Sequence, residues 1–479
     1  MHFQKYLKNH WDIILNAALS VAVAAALTVL SVLPFYVKAG YHDTQRMVST
    51  VIIALALFTS ILWIRVSKQT MWLLGAAYVW GLVAVCMSPL PLWSMLEFGL
   101  IFSVVLVSVT LIPRLQKLQL MHLATLIGSI HAFYAAHNLL EYAFTLFLGR
   151  TFEPFAMSNG FSNVRFYGQF LIWTVPFLVG TLVIHPKFSY RNVLIGLLMF
   201  DWAFEFLTLT RAFLFAMVVT VPMVRWTAKK YWLQYTKYLT FTAIIGFVIY
   251  LSMLYALPSL LGADISYAVQ FSSGRDMLTS SGRMQLWQDT WSLMLNHPWF
   301  GAGPMMTALD FVSKIAAHPH NYILQLLAEW GIPFTLLLCG GVVFGMIKWK
   351  KLIERSTSDN VLMALPITAS LSAGAAGGLV DGLFVMPVSL VYMSLVMACF
   401  AGLWRTLTPE VQRHKFPLWS IAVLIAPSIF TAVFAVINWP HRSSDTDNEI
   451  PKPMSGNGYQ LQSDRTPRFW LTGKIAPTD

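Results

Sequence analysis

The sequence predicts an all-α, polytopic membrane protein of about twelve to thirteen transmembrane helices, with one long extramembrane loop carrying short helices of its own. Three observations carry that prediction. Of 479 residues, 57% are hydrophobic and only 11% are charged, and mean hydropathy is +0.62; a soluble chain carries about 25% charged residues. The apolar residues fall into runs long enough to cross a hydrocarbon layer about 30 Å thick. The cations behind the net charge of +11 sit mostly in short gaps between those runs, where they orient helices, so a nucleic-acid partner is not indicated.

Thirteen segments have spanning character: 13–36, 47–64, 70–90, 94–112, 121–148, 168–184, 192–209, 212–224, 239–257, 332–348, 361–383, 385–403 and 417–437. The first follows Lys5 and Lys8 and is too long for a signal-peptide core, so it reads as an anchor. With the N-terminus in the cytoplasm, the inner gaps hold Arg65, Lys68, Lys187, Arg191, Arg225, Lys229, Lys230, Lys348, Lys350, Lys351, Arg405 and Arg413 among others, and the short outer gaps hold only Lys38, Arg46, Arg150, Arg165 and Arg211. That asymmetry puts two polar stretches outside, the loop 258–331 and a Pro-, Ser-, Asp- and Gly-rich tail from 438 to 479 that reads as disordered. The chain divides into N-terminal spans (1–160), a core (161–404) that includes the loop, a last span (405–437) and the tail. Cys86, Cys339 and Cys399 all lie in apolar runs, which predicts buried, inert thiols rather than a disulfide framework or a zinc site.

The notable polar residues gather on the outer side. Asn163-Val164-Arg165-Phe166-Tyr167-Gly168-Gln169 opens one span, Arg211 stands at another outer turn, Arg275, Arg283 and His318-Pro319-His320-Asn321 lie in the long loop, and Asp381 closes a run at a helix end. An arginine beside apolar helices seeks a carboxylate or a phosphate. Arg211 therefore has two readings: it pairs internally with Asp201 or Glu205, or it holds an anionic ligand. In the loop, Met284, Trp287, Trp291 and Met294 recur at helical spacing, as suits a helix lying flat at the membrane surface. A second helix is predicted from Pro319, with His320 and Asn321 in its first turn, where the dipole favours a neutral imidazole fit for general-base work or simply a capping role. His131, His137, Asn138 and Glu141 share one span and read either as functional groups or as mutual hydrogen-bond partners.

The run Ser281-Gly282-Arg283, Trp287, Asn296-His297-Pro298-Trp299-Phe300-Gly301-Ala302-Gly303, His318-Pro319-His320-Asn321-Tyr322, Gln325 and Glu329-Trp330-Gly331 resembles the signature of the O-antigen ligase-related family, which comprises O-antigen ligases, O-antigen polymerases and protein O-oligosaccharyltransferases. The resemblance extends over roughly 160–400, with Thr210-Arg211 and Asp381-Gly382…Pro387. It implies a GT-C-like, metal-independent glycosyltransferase of the bacterial inner membrane, with no cofactor and an active site facing the periplasm. The implied donor is an oligosaccharide on undecaprenyl diphosphate, transferred whole to an acceptor hydroxyl. By the same resemblance His320 matches the essential histidine, as base or orienting group. Arg211 and Arg283 match arginines that hold the diphosphate, Gln169 with Arg165 marks the donor side, and Asn321, Arg275 and Asp381 support. The His318-to-Asn321 and Gln169 segments lean toward the protein-glycosylating branch, with pilin or another periplasmic protein as acceptor. Lipid A-core, in an O-antigen ligase, and a growing glycan, in a polymerase, are the alternatives. A lipid-linked glycan transporter is the reading from a different class; the chain shows no internal repeat to support it.

Overall fold

The computed structural model describes residues 21–37, 40–61, 65–110, 120–152, 154, 158–187, 189–266, 269–270, 283–309, 316–356, 362–438, 458–461 and 475–478. Arg275 lies outside the described residues, as do Lys5, Lys8 and Lys38.

Each predicted span contains a helix. They are α1 (Val21–Tyr36), α2 (Tyr41–Ile61), α3 (Lys68–Cys86), α4 (Pro91–Thr110), α5 (Leu120–Phe147), α6 (Val164–Ile184), α7 (Arg191–Thr208), α8 (Arg211–Thr227) and α9 (Trp232–Leu261). After the loop helices α10 (Arg283–Asn296) and α11 (Tyr322–Trp330) come α12 (Ile332–Arg355), α13 (Ala364–Gly378), α14 (Pro387–Leu407) and α15 (Leu418–Asn438). Among the described residues, eight of these helices are long and apolar enough to cross a bilayer, and the protein is a multi-pass membrane protein. Helix α13, at 15 residues, is much shorter than the predicted 361–383 segment because Leu379 to Met386 leave the helix as a turn.

Helix α6 is the axis of the bundle. Of its most apolar window 94% is buried, against 11% for α12, which presents most of its surface outward. Small residues let α13 close on α6: a side chain at Gly374 would run into the Trp173 ring, and one at Gly180 would press on the Pro366 backbone. The Trp173 indole then donates to Ser389 Oγ at 2.7 Å, and Ser370 Oγ donates to the Trp173 carbonyl at 2.6 Å, so α6, α13 and α14 share buried bonds as well as packing.

The gaps sort to the two ends as alternate crossing requires. At one end β1 (Arg65–Val66) pairs antiparallel with β2 (His414–Lys415), joining the gap after α2 to the gap before α15. At the other end α2 ties down two loops: His42 N–H donates to Ser162 Oγ (3.0 Å), Gln45 Nε2 to the Gly160 carbonyl (2.8 Å), and Arg46 to the Val385 carbonyl. The sequence reading placed residues 41–46 in a gap. They are instead the first turns of α2, with His42 to Arg46 buried, because they bind loops rather than water. In the tail, β3 (Gly458–Leu461) and β4 (Ile475–Thr478) form an antiparallel pair.

The thiols are not buried as expected. Cys86 is exposed and Cys339 and Cys399 are partly covered. An apolar run places a thiol at membrane depth, but it does not decide whether the thiol faces the bundle or the lipid.

Candidate functional site

Four helix N-termini meet at the end of the bundle opposite β1–β2. Asn163 caps α6 by accepting from Arg165 N–H at 2.9 Å, which puts Arg165 in the first turn. Arg211 is the first residue of α8, and Arg283 is the first of α10. Asn321 caps α11, its Oδ1 accepting from Leu324 N–H at 3.1 Å. A helix N-terminus carries partial positive charge and free N–H groups, so each arginine adds its charge to an end already suited to anions.

Arg165, Arg211 and Arg283 line one small pocket together with Val164, Thr208, Leu209, Thr210, Ala212 and Asp381. Among the described residues of that lining Asp381 is the only carboxylate, against three guanidinium groups. The enclosed volume is about 20 Å³, enough for one water. A diphosphate enters only if the guanidinium ends spread, and each of the three arginines is only partly buried. Burial lowers the Arg283 pKa, opposed by Asp381 and reinforced by the charges of Arg165 and Arg211. That mutual repulsion is the electrostatic state an arriving anion relieves.

His320 sits at the edge of this pocket. Its Nδ1 lies 3.2 Å from Asp381 Oδ1, and the same oxygen accepts from Gly382 N–H at 2.8 Å. Burial pushes the Asp381 carboxyl up. Hydrogen bonding and charge from His320, the Gly382 N–H and a bond from Gln169 outweigh it and hold the group down at about 2. With the carboxylate accepting from Nδ1–H, the His320 ring presents Nε2 as its proton-accepting nitrogen. The His318 ring packs edge-on to His320 at 4.2 Å between centroids, and the Trp287 indole donates to the Pro319 carbonyl at 2.8 Å, fixing the loop to α10.

The geometry corrects the expected helix start at Pro319. Helix α11 starts at Tyr322, because Asn321 caps better than a proline two residues upstream. His320 precedes the cap with φ 52°, outside the first turn, so it is oriented by Asp381 rather than by the helix N-terminus. Leu209, at the α7–α8 turn beside Arg211, also has φ 52°. Left-handed backbone at two non-glycine residues marks both turns as held by their surroundings.

The motif residues after His320 prove architectural. Glu329 Oε1 accepts from Thr307 N–H (3.2 Å) and Thr307 Oγ1 (2.6 Å), and Gln325 donates to its other oxygen at 3.2 Å. Ala302 N–H donates to the Ala328 carbonyl and Gly303 N–H to that of Glu329. Gly301 and Gly331, both with positive φ, allow this contact: a side chain on either would collide with the other segment's backbone. The Gly-x-Gly and Glu-Trp-Gly pieces thus form one interlock that carries α11. Helix α10 also differs from the predicted stripe. Leu286, Leu293 and Met294 are buried, whereas Met284, Trp291 and Leu295 form an exposed apolar face suited to a lipid interface.

Asp201 is not a partner of Arg211. It is buried against His131, whose Nδ1 lies 2.7 Å from Oδ2, and accepts from the Tyr167 hydroxyl at 3.2 Å. Glu205 is fully buried below Thr208 and Thr210. Thr210 lies near it, but the Thr210 hydroxyl is 3.0 Å from Thr208 Oγ1, and among the described residues neither Glu205 oxygen has a hydrogen-bond partner. His137 Nδ1 lies 2.9 Å from the Phe133 carbonyl one turn back on α5, and Asn138 accepts from Asn159 N–H, so neither of these bonds joins two polar side chains of α5.

Sequence reasoning missed the α2 residues that hold the site. Arg46 anchors the turn after Asp381, and His42 and Gln45 anchor the turn before Arg165. The legible signal was a cluster of five polar residues, His42 to Arg46, directly before an apolar run.

The multi-helix membrane fold thus carries a cationic pocket beside a His–Asp pair, an arrangement suited to an anion. Residues 194–339, just under a third of the chain, match the family model described as O-Antigen ligase, which supports the resemblance to the O-antigen ligase-related family. The matched stretch contains Arg211, Arg283, His320 and Asn321, and the fold adds Arg165, Gln169 and Asp381 from either side of it. No curated protein and no solved structure matches the chain.

Proposed function

We propose that the protein is an inner-membrane glycosyltransferase that moves an oligosaccharide from undecaprenyl diphosphate to an acceptor hydroxyl on the periplasmic side, without a metal. The observation that carries this reading is the convergence of Arg165, Arg211 and Arg283 on one pocket beside the His320–Asp381 pair. The acceptor oxygen attacks the anomeric carbon, the bond from that carbon to the diphosphate oxygen breaks, and the electron pair leaves with the diphosphate. The acceptor proton passes to His320 Nε2, and Asp381 stabilises the resulting imidazolium. The arginines neutralise the charge that grows on the leaving group. Diphosphate is already a good leaving group, so positioning and charge neutralisation supply most of the acceleration.

The preferred acceptor is a periplasmic protein such as type IV pilin, supported by the His318-to-Asn321 segment and by Gln169 standing against Asp381. The description of the matched family model favours a second reading, transfer to lipid A-core. A deletion strain complemented with wild type or His320→Ala separates the two. The intact mass of the major pilin and the lipopolysaccharide gel are read from the same cells. Loss of a glycan-sized mass from pilin with an unchanged ladder is the expected result. A ladder collapsed to bare core with unchanged pilin mass overturns the protein acceptor in favour of lipid A-core.

A further inference from the structure

At the opposite end of α8 from Arg211 lies a second, larger cavity of about 870 Å³. The two are separated by the length of a 17-residue helix, about 25 Å. The cavity is walled by the α8–α9 turn and by the end of α12, and continues to the segment before α13. Four cations from two separate parts of the chain line it: Arg225 from the end of α8, Lys229 and Lys230 from the turn after it, and Lys350 from α12. Among the described residues of the lining Glu354 is the only acid, and it is already 3.6 Å from Lys350.

Simple orientation of helices needs cations near a membrane face but does not need them to converge. Here they converge and are held. Lys350 Nζ lies 5.2 Å from the Trp226 ring centroid, Arg225 Cζ lies 5.0 Å from that of Trp232, and Lys230 Nζ lies 5.4 Å from that of Tyr231. Beside the cations and rings the wall carries apolar Pro222, Ala228, Ile353, Leu362 and Leu365, with Thr227 and Ser356 among them. Further along the same two helices, Val218 on α8 and Phe344 on α12 are exposed, as lipid-facing residues are. A cationic, aromatic-rimmed recess between two membrane helices matches the chemistry of a phosphodiester headgroup with its acyl chains beside it.

We infer that this cavity is a binding site for a phospholipid of net negative charge. Phosphate is the shared chemistry with a soluble anion, and the exposed apolar flanks of α8 and α12 beside the cavity commit the site to a lipid. The inference does not depend on the transfer reaction.

The test is native mass spectrometry of the full-length protein, delipidated and then offered phosphatidylglycerol or phosphatidylcholine. Wild type should retain phosphatidylglycerol preferentially. The triple variant Arg225→Gln, Lys229→Gln, Lys230→Gln should lose about tenfold or more of that retention, since each surface cation contributes about fivefold to anionic-lipid binding. Lys350→Gln, which leaves the turn intact, should lose about fivefold and serves if the triple variant does not fold. Lys187→Gln, an exposed cation at the same end but outside the cavity, should retain lipid as wild type does. Equal retention of both lipids, equal loss in Lys187→Gln, or full displacement of phosphatidylglycerol by millimolar inorganic phosphate would overturn the assignment.

Discussion

Asp381 accepts hydrogen bonds from His320, Gly382 and Gln169, so its carboxyl is held at about 2 rather than 3.8. A depressed carboxyl stabilises the fold fully above its unfolded value and loses that contribution as pH falls through the folded one. The effect here is about 2 kcal/mol, lost between about pH 4 and pH 2. Thermal unfolding in detergent across that interval should therefore flatten in Asp381→Asn; an unchanged slope would deny the coupling. At neutral pH the same variant loses the partner that orients His320, and transfer should fall about tenfold to a hundredfold while donor binding persists. His320→Ala should lose more, about a hundredfold to ten-thousandfold in transfer rate. Arg211→Lys keeps the charge but not the planar fork, and single-turnover transfer should slow about tenfold.

At the scale of elements, the four N-termini were only partly legible in the sequence. Asn163 and Asn321 are cap residues three and four positions from Phe166 and Gln325, and a capping rule finds them. A favoured first-turn proline pulled the predicted start of α11 to Pro319, and the stronger asparagine cap won. The polar cluster at the start of α2 was legible but its burial was not, because hydropathy treats His42 to Arg46 as water-facing until their loop partners, 115 and 339 residues away for Gln45 and Arg46, are known. Gln45→Leu and Arg46→Met touch no substrate. Each removes a buried donor from a loop carbonyl and should destabilise by about 1–3 kcal/mol, with a matching drop in activity that low temperature partly restores. Gly331→Ala forces a side chain into the Trp299 carbonyl at φ +85°, and scanning calorimetry should show a lower Tm even with donor bound.

Across the whole molecule, alternate crossing brought the right gaps together. Hydropathy runs and cation sorting suffice for that, since they need only count passages. What they could not supply is which outer gaps touch. The His320–Asp381 contact joins residues 61 apart across α11, α12 and α13, and the Arg165 turn meets it through α2. A bundle that divides its polar chemistry between two ends, with an arginine pocket at one and a lysine-rich cavity at the other, should show independent responses at the two. Chelation with EDTA should leave transfer unchanged, because the arginines neutralise the leaving group. The most direct measurement is equilibrium binding of labelled undecaprenyl diphosphate to the purified protein. Wild type and His320→Ala should bind alike, and Arg211→Gln and Arg283→Gln should each bind about tenfold more weakly. Undiminished binding by both arginine variants would contradict the pocket as the diphosphate site.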